Sequence, residues 1–515
     1  MLKMFSLRTL AGILALAPAV LGQSLSSELS SLISSLKNTN YGTTLGSTCA
    51  CDILALVAGE EKVLFPNSTA YTAQNTHYYT TRADLAPKCI FVPATVTDVS
   101  IGVVVLDTCQ SQFAVRGAGH MVVKGAANTD GGVLVALSSF TDVVVSEDAS
   151  TVSVGGASNW YQVNSALVPY GRGAIGGRLK TIGVGGLTLG GGISYFSAKY
   201  GFAMDTVVNY EVVLASGQVV NANATSYSDL FWALKGGSNN FGIVTTFTYA
   251  TISVPAISSA IIVYTEDVAP QFVSAIADFA NYQPDVDLDA GGIFDTTYTT
   301  SGGYSPTLLG VKIGDELEPE IFANFSAIPN ELASYNITNL ADWAAMFDTP
   351  YQQQRWMYGM HTMVADNATM QELYSMWATA VHEMDSVNGF QGTVTFQPLP
   401  KTAFAVAANN GIGNAWGHDD TENYVFWLLS TAWLDAADDE TVMTWAENTR
   451  EAMQNYSLAA GVGQTFIYMN DAADNQDAIG SYPAANIAKL QSIRSKYDPN
   501  LVFTNLETGG YKIPN

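Results

Sequence analysis

The sequence predicts an α+β protein with two sheet-containing regions, and three features lead to this prediction. Short β-branched runs such as "IGVVVL" and "DVVVSE" recur between residues 88 and 250, where glycine-rich turns separate them. Between residues 256 and 460, longer helical patterns alternate with strand patterns, which favours an antiparallel sheet with helices on one face. Hydrophobic residues make up 48% of the 515-residue chain, which is enough for two or three cores.

Residues 1–22 have the features of a secretory signal peptide. Lys3 and Arg8 supply positive charge, "TLAGILALAPAVL" is an apolar stretch too short for a secure membrane span, and residues 20–22 (Val-Leu-Gly) provide a cleavage site. An uncleaved anchor is the alternative. No later apolar run approaches the ~20 residues that a membrane helix needs. The sequence therefore predicts a secreted, extracellular mature chain.

The cysteines and the glycosylation sequons agree with an oxidising compartment. All four cysteines lie in the first 110 residues, and an even number favours two disulfides. A bond between Cys49 and Cys51 is disfavoured because a single residue separates them, so two pairings with Cys89 and Cys109 remain open. No histidine pair stands nearby at zinc-ligand spacing, and no metal site is predicted. Asn-X-Ser/Thr sequons occur at six positions: Asn67, Asn223, Asn324, Asn336, Asn367 and Asn455.

The chain carries a formal net charge of −25. Such a charge opposes binding to nucleic acid and to anionic membranes, so neither is expected as a partner. The charge does not identify a substrate; a small-molecule substrate follows from the family resemblance described below.

The individual elements follow in chain order. Residues 23–45 ("SLSSELSSLISSLKN") show apolar residues at three- and four-residue spacing and predict a helix. In the second region, "PQFVSAIADFANY" and "MQELYSMWATAVHEM" predict helices, whereas "GTVTFQPL" and "NYVFWLLSTAW" predict strands. The segment 351–361 ("YQQQRWMYGMH") is rich in aromatic and hydrogen-bonding groups, as a substrate-facing strand would be. The closing residues contain "TFIYMND" and a helix followed by a turn, "NIAKLQSIRSKYDPNLVF".

Three glycine-rich loops, at 116–119, 183–192 and 235–244, indicate close approach of the backbone to a ligand. The second loop, "TIGVGGLTLGGG", is not a dinucleotide fingerprint because Thr188 occupies the place of the third glycine, and no GxxxxGK[ST] phosphate loop occurs. Successive N–H groups without side chains can hold phosphate oxygens. Glycine-rich connections between strands are the structural alternative. Three such loops in one region predict a long ligand that contains a diphosphate.

An ordered set of motifs resembles the flavin-dependent oxidoreductases of the vanillyl-alcohol oxidase/p-cresol methylhydroxylase (PCMH) superfamily. Within it, the chain is most similar to the berberine bridge enzyme-like branch, which includes secreted fungal members. The resemblance covers nearly the whole mature chain and is densest over residues 85–250. The motifs, in order, are "FVPATVTDVS", "RGAGH", "GGVLVALSSF", "IGVGGLTLGGGISYFSAKYGFAMD", "DLFWALKGGSNNFGIVT", "YMN" and "YDPNLVF".

The resemblance implies a domain arrangement. Residues 23–255 would form a two-part, PCMH-type FAD-binding domain whose core spans about 85–255. Residues 256–460 would form a substrate domain with a large antiparallel sheet and flanking helices. Residues 461–515 would return to the FAD domain.

The resemblance also implies a covalent flavin. His120 stands where relatives bond a histidine ring nitrogen to the 8α-methyl carbon of FAD; a non-covalent flavin beside His120 is the alternative. Leu179 stands at the place of the second linking cysteine of doubly linked relatives, and a leucine forms no thioether. At most one covalent link is therefore expected. Ala118 departs from the "RSGGHS" pattern by one added methyl group, which need not exclude FAD.

The remaining cofactor positions follow from the same motifs. The pyrophosphate would lie on the backbone amides of Arg116, Gly117, Ala118 and Gly119. The diphosphate and the isoalloxazine ring would be lined by Gly185, Gly186, Leu187, Gly190, Gly191 and Gly192. Gly201 and Asp205 would support that loop, and Gly242 and Val244 would contact the nucleotide end of FAD.

The Tyr-x-Asn motif of relatives corresponds here to Tyr468-Met469-Asn470. We expect Tyr468 to be a general base or a substrate orienter, fixed together with the flavin by Asn470. A tyrosine has a pKa of ~10, so the base role requires a lowered pKa from nearby cations or the flavin. A tyrosine packed in the core is the structural alternative.

These features together predict a secreted, monomeric FAD-dependent oxidoreductase. We expect an oxidase that moves a hydride from an alcohol, amine or sugar-type carbon to flavin N5 and then reduces molecular oxygen to hydrogen peroxide. A dehydrogenase that uses a quinone acceptor and a flavin-containing cyclase or isomerase are the alternatives. A non-catalytic secreted binding protein is a further one.

Overall fold

The computed structural model describes residues 45–76, 78–347 and 354–515. The expected signal peptide at 1–22 lies outside the described residues, as does the helix predicted over 23–45 except for Leu45. Among the described residues, no helix has the length and apolarity that crossing a membrane requires. The described residues also contain no group of three or more His, Cys, Asp or Glu side chains that could hold a metal ion.

The first part of the fold contains a four-stranded sheet that is mostly parallel. The sequence predicts the run "IGVVVL" as a strand, but it lies in the helix Val96–Cys109, which begins with a capping box between Thr95 and Asp98. The prediction is wrong because a fully buried helix is apolar on all sides, so its β-branched residues show no helical periodicity; its valines pack on the sheet. The strand Phe113–Arg116 ends at the first glycine-rich loop, so the sheet fixes where that loop starts. In spatial order the strands are Val63–Leu64, Cys89–Phe91, Val133–Ala136 and Phe113–Arg116.

Two disulfides join the helix Ser47–Ala58 to this sheet and its helix. Cys49 is bonded to Cys109, and Cys51 is bonded to Cys89. The structure thus selects one of the two pairings that the sequence leaves open. All four cysteines pack in or against one apolar cluster.

Removing the Cys51–Cys89 bond is expected to destabilise the fold. The bond closes a loop with a sequence separation of 38 residues, which limits the freedom of the unfolded chain. Its loss in a Cys51→Ser/Cys89→Ser variant is expected to lower the unfolding free energy by about 4 kcal/mol. Denaturant unfolding measures this difference, and the variant that lacks both Cys49 and Cys109 should give a similar value. An unchanged midpoint would show that the bond does not constrain the unfolded chain.

A five-stranded antiparallel sheet follows. Buried aromatic residues, including Tyr210, Phe247 and Tyr249, pack it into the largest apolar cluster. Its strands, in spatial order, are Val143–Val145, Thr151–Gly155, Ile243–Ala250, Val207–Val213 and Val219–Asn223. A short pair, Arg172–Gly173 with Ile252–Ser253, lies beside it.

The second region forms an eight-stranded antiparallel sheet. Three long helices, Ala269–Val286, Asn367–Ala380 and Asp439–Ala459, pack on one face through a cluster that includes Phe272, Trp377 and Trp445. The predicted antiparallel sheet with helices on one face is confirmed, as is the α+β class. The strand order is Leu332–Thr338, Ile257–Val263, Gly303–Ile313, Ala290–Thr299, Gln391–Leu399, Tyr424–Trp433, Arg355–Val364 and Gly463–Gln464.

The face of this sheet opposite the helices is largely polar and lies against the glycine-rich loops. Side chains alternate along a strand, so Phe294 and Phe396 point to the helices while Asp295, Thr395 and Gln397 line the opposite side. This alternation places a polar surface where the two regions meet.

The remaining helices connect these sheets. The residues after the helix Ala484–Tyr497 return to the first region. The N–H of Thr508 donates to the carbonyl of Phe113 in the first sheet, and the N–H of Ile513 donates to the side-chain oxygen of Asn240 in the third glycine-rich loop. The shorter helices are Thr69–Gln74, Trp160–Leu167, Val184–Leu189, Ser197–Tyr200, Ala203–Thr206, Ser228–Ala233, Ala323–Ser326, Leu340–Met346 and Lys401–Asn409.

Candidate active site

A cavity of about 480 Å³ lies between the glycine-rich loops and the polar face of the large sheet. One wall consists of backbone and small side chains of residues 117–120, 183–187 and 242–244. The opposite wall consists of strand side chains. Tyr468 and Asn470 lie between the two walls.

The first loop turns tightly to bring His120 to the cavity. Gly119 has a φ of 75°, a left-handed conformation that favours glycine. Its carbonyl accepts a hydrogen bond of 3.0 Å from the N–H of Tyr79, and the Tyr79 ring lies 4.2 Å from the imidazole of His120. Burial lowers the pKa of His120 to about 4, so its ring is neutral and keeps a nitrogen lone pair at physiological pH.

The glycines in the wall serve two separate purposes. A Cβ atom at Gly185 would lie only 2.8 Å from the carbonyl oxygen of Gly156, and one at Gly117 would lie 3.0 Å from the same oxygen. These two positions need glycine because backbone packs on backbone. A Cβ atom at Gly186 would meet nothing within 4 Å, and Gly186 is exposed to the cavity.

This wall fits a dinucleotide cofactor. The space in front of Gly186 is open to a flat ring. Among the described residues, the N–H groups of Gly117 and Ala118 have no protein acceptor, and both residues line the cavity. Backbone donors of this kind suit the oxygens of a diphosphate.

Tyr468 and Asn470 form a hydrogen-bonded pair at the edge of the glycine wall. The Tyr468 hydroxyl accepts from the Asn470 side-chain amide at 2.8 Å and from the N–H of Ile193 at 3.2 Å. The same amide donates to the carbonyl of Leu187 at 2.9 Å, and a Cβ atom at Gly190 would collide with Asn470 Oδ1. Because its oxygen accepts two bonds, the Tyr468 hydroxyl has its own proton available for donation.

The pKa of Tyr468 is raised above its usual value of 10. Burial is the main cause, and the negative charge of Asp471 adds to it; the hydrogen bonds from Asn470 and Ile193 and the charge of Arg178 act in the opposite direction with smaller effect. The base role expected for Tyr468 requires a lowered pKa. Because burial and Asp471 raise the pKa, the surroundings of Tyr468 favour the other expected role, that of a neutral substrate orienter.

The opposite wall is organised in two rows across neighbouring strands. Asp295 pairs in register with Thr395. In the second row Thr297 pairs with Thr393, and their hydroxyl groups are 2.9 Å apart. Further along this wall, Ser430 continues the row, and Trp356 and Tyr358 provide aromatic side chains.

A chain of hydrogen bonds crosses the floor of the cavity. Arg178 donates to the side-chain oxygen of Gln397 at 2.5 Å, and the Gln397 amide donates to Asp471 at 2.7 Å. Leu179, next to Arg178, also lines the cavity. The site thus presents an aliphatic side chain at this position.

The structure brings together many, but not all, of the residues that the sequence singles out. The predicted residues that line the cavity are Gly117, Ala118, Gly119, His120, Gly185, Gly186, Leu187, Gly242, Val244, Tyr468 and Asn470. Those outside the lining are Arg116, Gly190, Gly191, Gly192, Gly201 and Asp205.

The residues outside the lining lie behind it for identifiable reasons. The Arg116 guanidinium donates to Gln74 and Tyr78 rather than toward the cavity. The carbonyls of Gly191 and Gly192 accept bonds from residues 203 and 204. That turn is held by Asp205, whose carboxylate accepts from the N–H of Phe202.

Sequence reasoning missed several polar residues of the site. Their signal is the alternation of polar and apolar residues in "IFDTT" and "TVTFQ", which predicts a two-faced strand but not which face meets the cofactor wall. Trp356 and Tyr358 do fall within the segment 351–361 that was expected to face the substrate. The missed lining residues include Tyr79, Arg178, Asp295, Gln397 and Asp471.

Comparison with known proteins identifies the family. Residues 87–223 match a family described as an FAD binding domain. The chain is 31% identical over 473 residues to the FAD-dependent monooxygenase prx3 of Penicillium roqueforti, covering 88% of this chain and 92% of the relative. It is 30% identical over 476 residues to the bifunctional solanapyrone synthase of Alternaria solani, covering 90% of this chain and 89% of that protein.

Solved structures share the fold at low sequence identity. The 6-hydroxy-D-nicotine oxidase of Arthrobacter nicotinovorans superimposes with a TM-score of 0.74 and 19% identity, covering 88% of this chain and 97% of that one. A glucooligosaccharide oxidase of Acremonium strictum, described with a 6-S-cysteinyl, 8α-N1-histidyl FAD, gives 0.73 and 19%, covering 89% and 98%. The chain therefore belongs to the family of fungal FAD-dependent oxidoreductases that these curated relatives represent, and it shares its fold with solved structures that include a berberine bridge enzyme-like protein of Physcomitrella patens (TM-score 0.70, 19% identity, covering 88% of this chain and 96% of that one).

Proposed function

We propose that this protein is a secreted oxidase that removes a hydride from an alcohol, amine or sugar-type carbon and passes the electrons to molecular oxygen, giving hydrogen peroxide. The observation that carries the proposal is the two-walled cavity. A glycine wall that ends at His120 faces a polar strand surface, with Tyr468 between them. The oxidase descriptions of the fold neighbours support the same reaction type.

In this proposal the glycine wall holds FAD, which supplies the hydride acceptor N5 when it is bound. The diphosphate lies along residues 117–119 and 185–187. Gly242 and Val244 contact the nucleotide end of FAD. The Gly191–Gly192 turn and Asp205 shape the loop from behind. The neutral imidazole of His120 forms a single covalent link to the 8α carbon, and Leu179 forms none.

We further propose the domain division 23–255, 256–460 and 461–515, a signal peptide at 1–22 and a monomeric mature protein. The bonds of residue 508 to the first sheet and of residue 513 to the third glycine-rich loop support the return of the last segment. The two disulfides support an oxidising compartment.

Tyr468 acts as a hydrogen-bond donor that positions the substrate's reacting group. Its oxygen is held by Asn470 and Ile193, and Asn470 is tied to the glycine wall through Leu187. The hydroxyl proton therefore has a fixed position relative to the cofactor wall. Such positioning lowers the entropy cost of reaching the reactive arrangement.

Replacing Tyr468 by phenylalanine is expected to slow flavin reduction by substrate by about 10²-fold, because the orienting hydroxyl is lost while the ring still packs. Anaerobic stopped-flow absorbance measures the rate. Tyr264→Phe is the matched control, since the Tyr264 hydroxyl bonds to the carbonyl of Phe325 in the apolar core. Equal rates of flavin reduction in Tyr468→Phe and wild type would show that the Tyr468 hydroxyl does not position the substrate.

The function is tested by mixing the purified protein anaerobically with panels of alcohols, amines and oligosaccharides. Bleaching of the flavin bands by a member of the panel, followed by rapid recovery and peroxide release in aerated buffer, is the expected result. If the oxidised-flavin absorbance returned only over minutes in air but rapidly with a quinone, the protein would be a dehydrogenase rather than an oxidase. No bleaching by any compound would contradict the proposed function.

A flavin-containing cyclase or isomerase is the second candidate, because a synthase of Alternaria solani is 30% identical over 90% of this chain. Product formation without flavin bleaching would favour this candidate. A protein purified without flavin absorbance would instead favour a non-catalytic binding protein.

A further inference from the structure

Asp295 has an unusual position in the polar wall. It lies on the strand Ala290–Thr299 and lines the cavity. Its Oδ1 atom is buried and accepts no hydrogen bond from the described residues, and its carboxyl group is hydrogen-bonded by Thr395. A buried carboxylate oxygen without a partner is costly, so its retention in a ligand cavity points to a function there.

The other acidic group of this floor differs in its surroundings. Asp471 accepts from the Gln397 amide, and Gln397 is itself held by Arg178. Asp471 is therefore committed to a structural chain of hydrogen bonds. A third acid in the cavity lining, Glu507, has its Oε2 atom 3.6 Å from the ammonium group of Lys512. Tyr468, which also lines the cavity, is held as a neutral donor.

We infer that Asp295 is the catalytic base, which accepts the proton of the substrate hydroxyl while Tyr468 donates a hydrogen bond to the same oxygen. This inference rests on the proposed oxidation and deepens it, since it selects a hydroxyl-bearing carbon as the reacting group. The free Oδ1 atom is the acceptor.

The O–H bond breaks and its proton moves to Oδ1 of Asp295. The carbon–hydrogen bond breaks at the same carbinol centre, and the hydride carries two electrons to the oxidised flavin. The oxygen lone pair forms the new carbonyl bond, so an alcohol yields a ketone or aldehyde and a lactol yields a lactone.

The electrostatic surroundings suit a base near neutral pH. Burial raises the pKa of Asp295 from 3.8 to about 6, against smaller opposing effects of Thr395 and the Arg178 cation. The titratable groups that interact with the carboxylate from neighbouring elements are three phenols: Tyr79 between the strands Val63–Leu64 and Cys89–Phe91, Tyr195 after the second glycine-rich loop, and Tyr358 on the strand Arg355–Val364. Tyr468 and Asp471 line the same cavity.

The first test is the pH dependence of flavin reduction in the holoenzyme, with an alcohol found in the panel above. Wild type is expected to show a rate that rises with pH through about 6 and then levels off. Asp295→Asn is expected to lose about 10²- to 10⁴-fold at the plateau and to lose this rise. Asp295→Glu, which keeps a carboxylate, should recover part of the rate and retain a pH-dependent limb.

The second test does not depend on turnover. Folding raises the pKa of the Asp295 carboxyl group, so its ionised form destabilises the folded protein. This destabilisation is absent below about pH 4, where the group is protonated in both states, and complete above about pH 6. Asp295→Asn removes it. The variant should unfold at a higher temperature than wild type at pH 7.5, and the difference should shrink at pH 4.

The possible results distinguish an error in the assignment of Asp295 from an error in the proposed function. A pH limb that persists in Asp295→Asn but disappears in Asp471→Asn would assign the base to Asp471 and overturn the inference. Equal rates and equal unfolding profiles in Asp295→Asn and wild type would also overturn it. No reduction of wild-type flavin by any alcohol would contradict the proposed alcohol oxidation, and this inference with it.

Discussion

Replacing His120 by alanine is expected to convert a covalently flavinylated protein into one that releases all of its flavin on denaturation. The His120 ring is neutral, lies 4.2 Å from the Tyr79 ring and is placed at the cavity wall. A neutral imidazole that faces the cavity suits a nucleophilic nitrogen. Leu179 offers no second link, so removal of one ring should abolish the bond entirely. Flavin fluorescence of the denatured polypeptide in a gel measures the effect.

The matched control for this prediction is His382→Ala. The His382 side chain is 54% exposed and belongs to a surface cluster with Tyr298 and Asp385. It should leave the gel fluorescence at the wild-type level. Fluorescence retained in His120→Ala would assign the link to another residue.

Replacing Gly186 by leucine is expected to give a folded protein that binds FAD poorly. The position lies in the helix Val184–Leu189, has no neighbour within 4 Å of a Cβ atom, and faces the cavity. The side chain would therefore fill cofactor space without disturbing the protein. An overpacking cost of about 1–3 kcal/mol corresponds to affinity roughly 5- to 150-fold weaker.

Two measurements test this prediction. The ratio of flavin to protein absorbance reports FAD binding, and thermal unfolding of the flavin-free form reports stability. Leucine is a better helix former than glycine by about 1 kcal/mol, so the flavin-free variant should unfold no earlier than the flavin-free wild type. Gly186→Ala, with a single methyl group, should retain more flavin than the leucine variant. Full flavin occupancy in Gly186→Leu would show that the ring lies elsewhere.

The fold class and the glycine wall could be predicted because their signals are local. Most β-branched runs and apolar periods predict the sheets and helices, although "IGVVVL" lies in the buried helix Val96–Cys109. The close approach of Gly117 and Gly185 to Gly156 explains the loop composition. The pairing of Cys49 with Cys109 could not be predicted, because it depends on how a helix lies against a sheet.

The polar wall could be predicted only in part. The alternation in "IFDTT" indicates a strand with a polar face, but the role of Asp295 depends on its register with Thr395 and on burial by other strands. Tyr468 illustrates the same limit. Its motif predicts a place near the cofactor, whereas the direction of its pKa shift depends on burial and on Asp471.

The most direct test of the account is peptide mapping of the natively produced protein after acid precipitation. We predict a yellow precipitate whose proteolytic digest contains one flavin-bearing peptide, with the modification on His120. A colourless protein, or a flavin attached to a peptide from outside the glycine wall, would contradict the central claim.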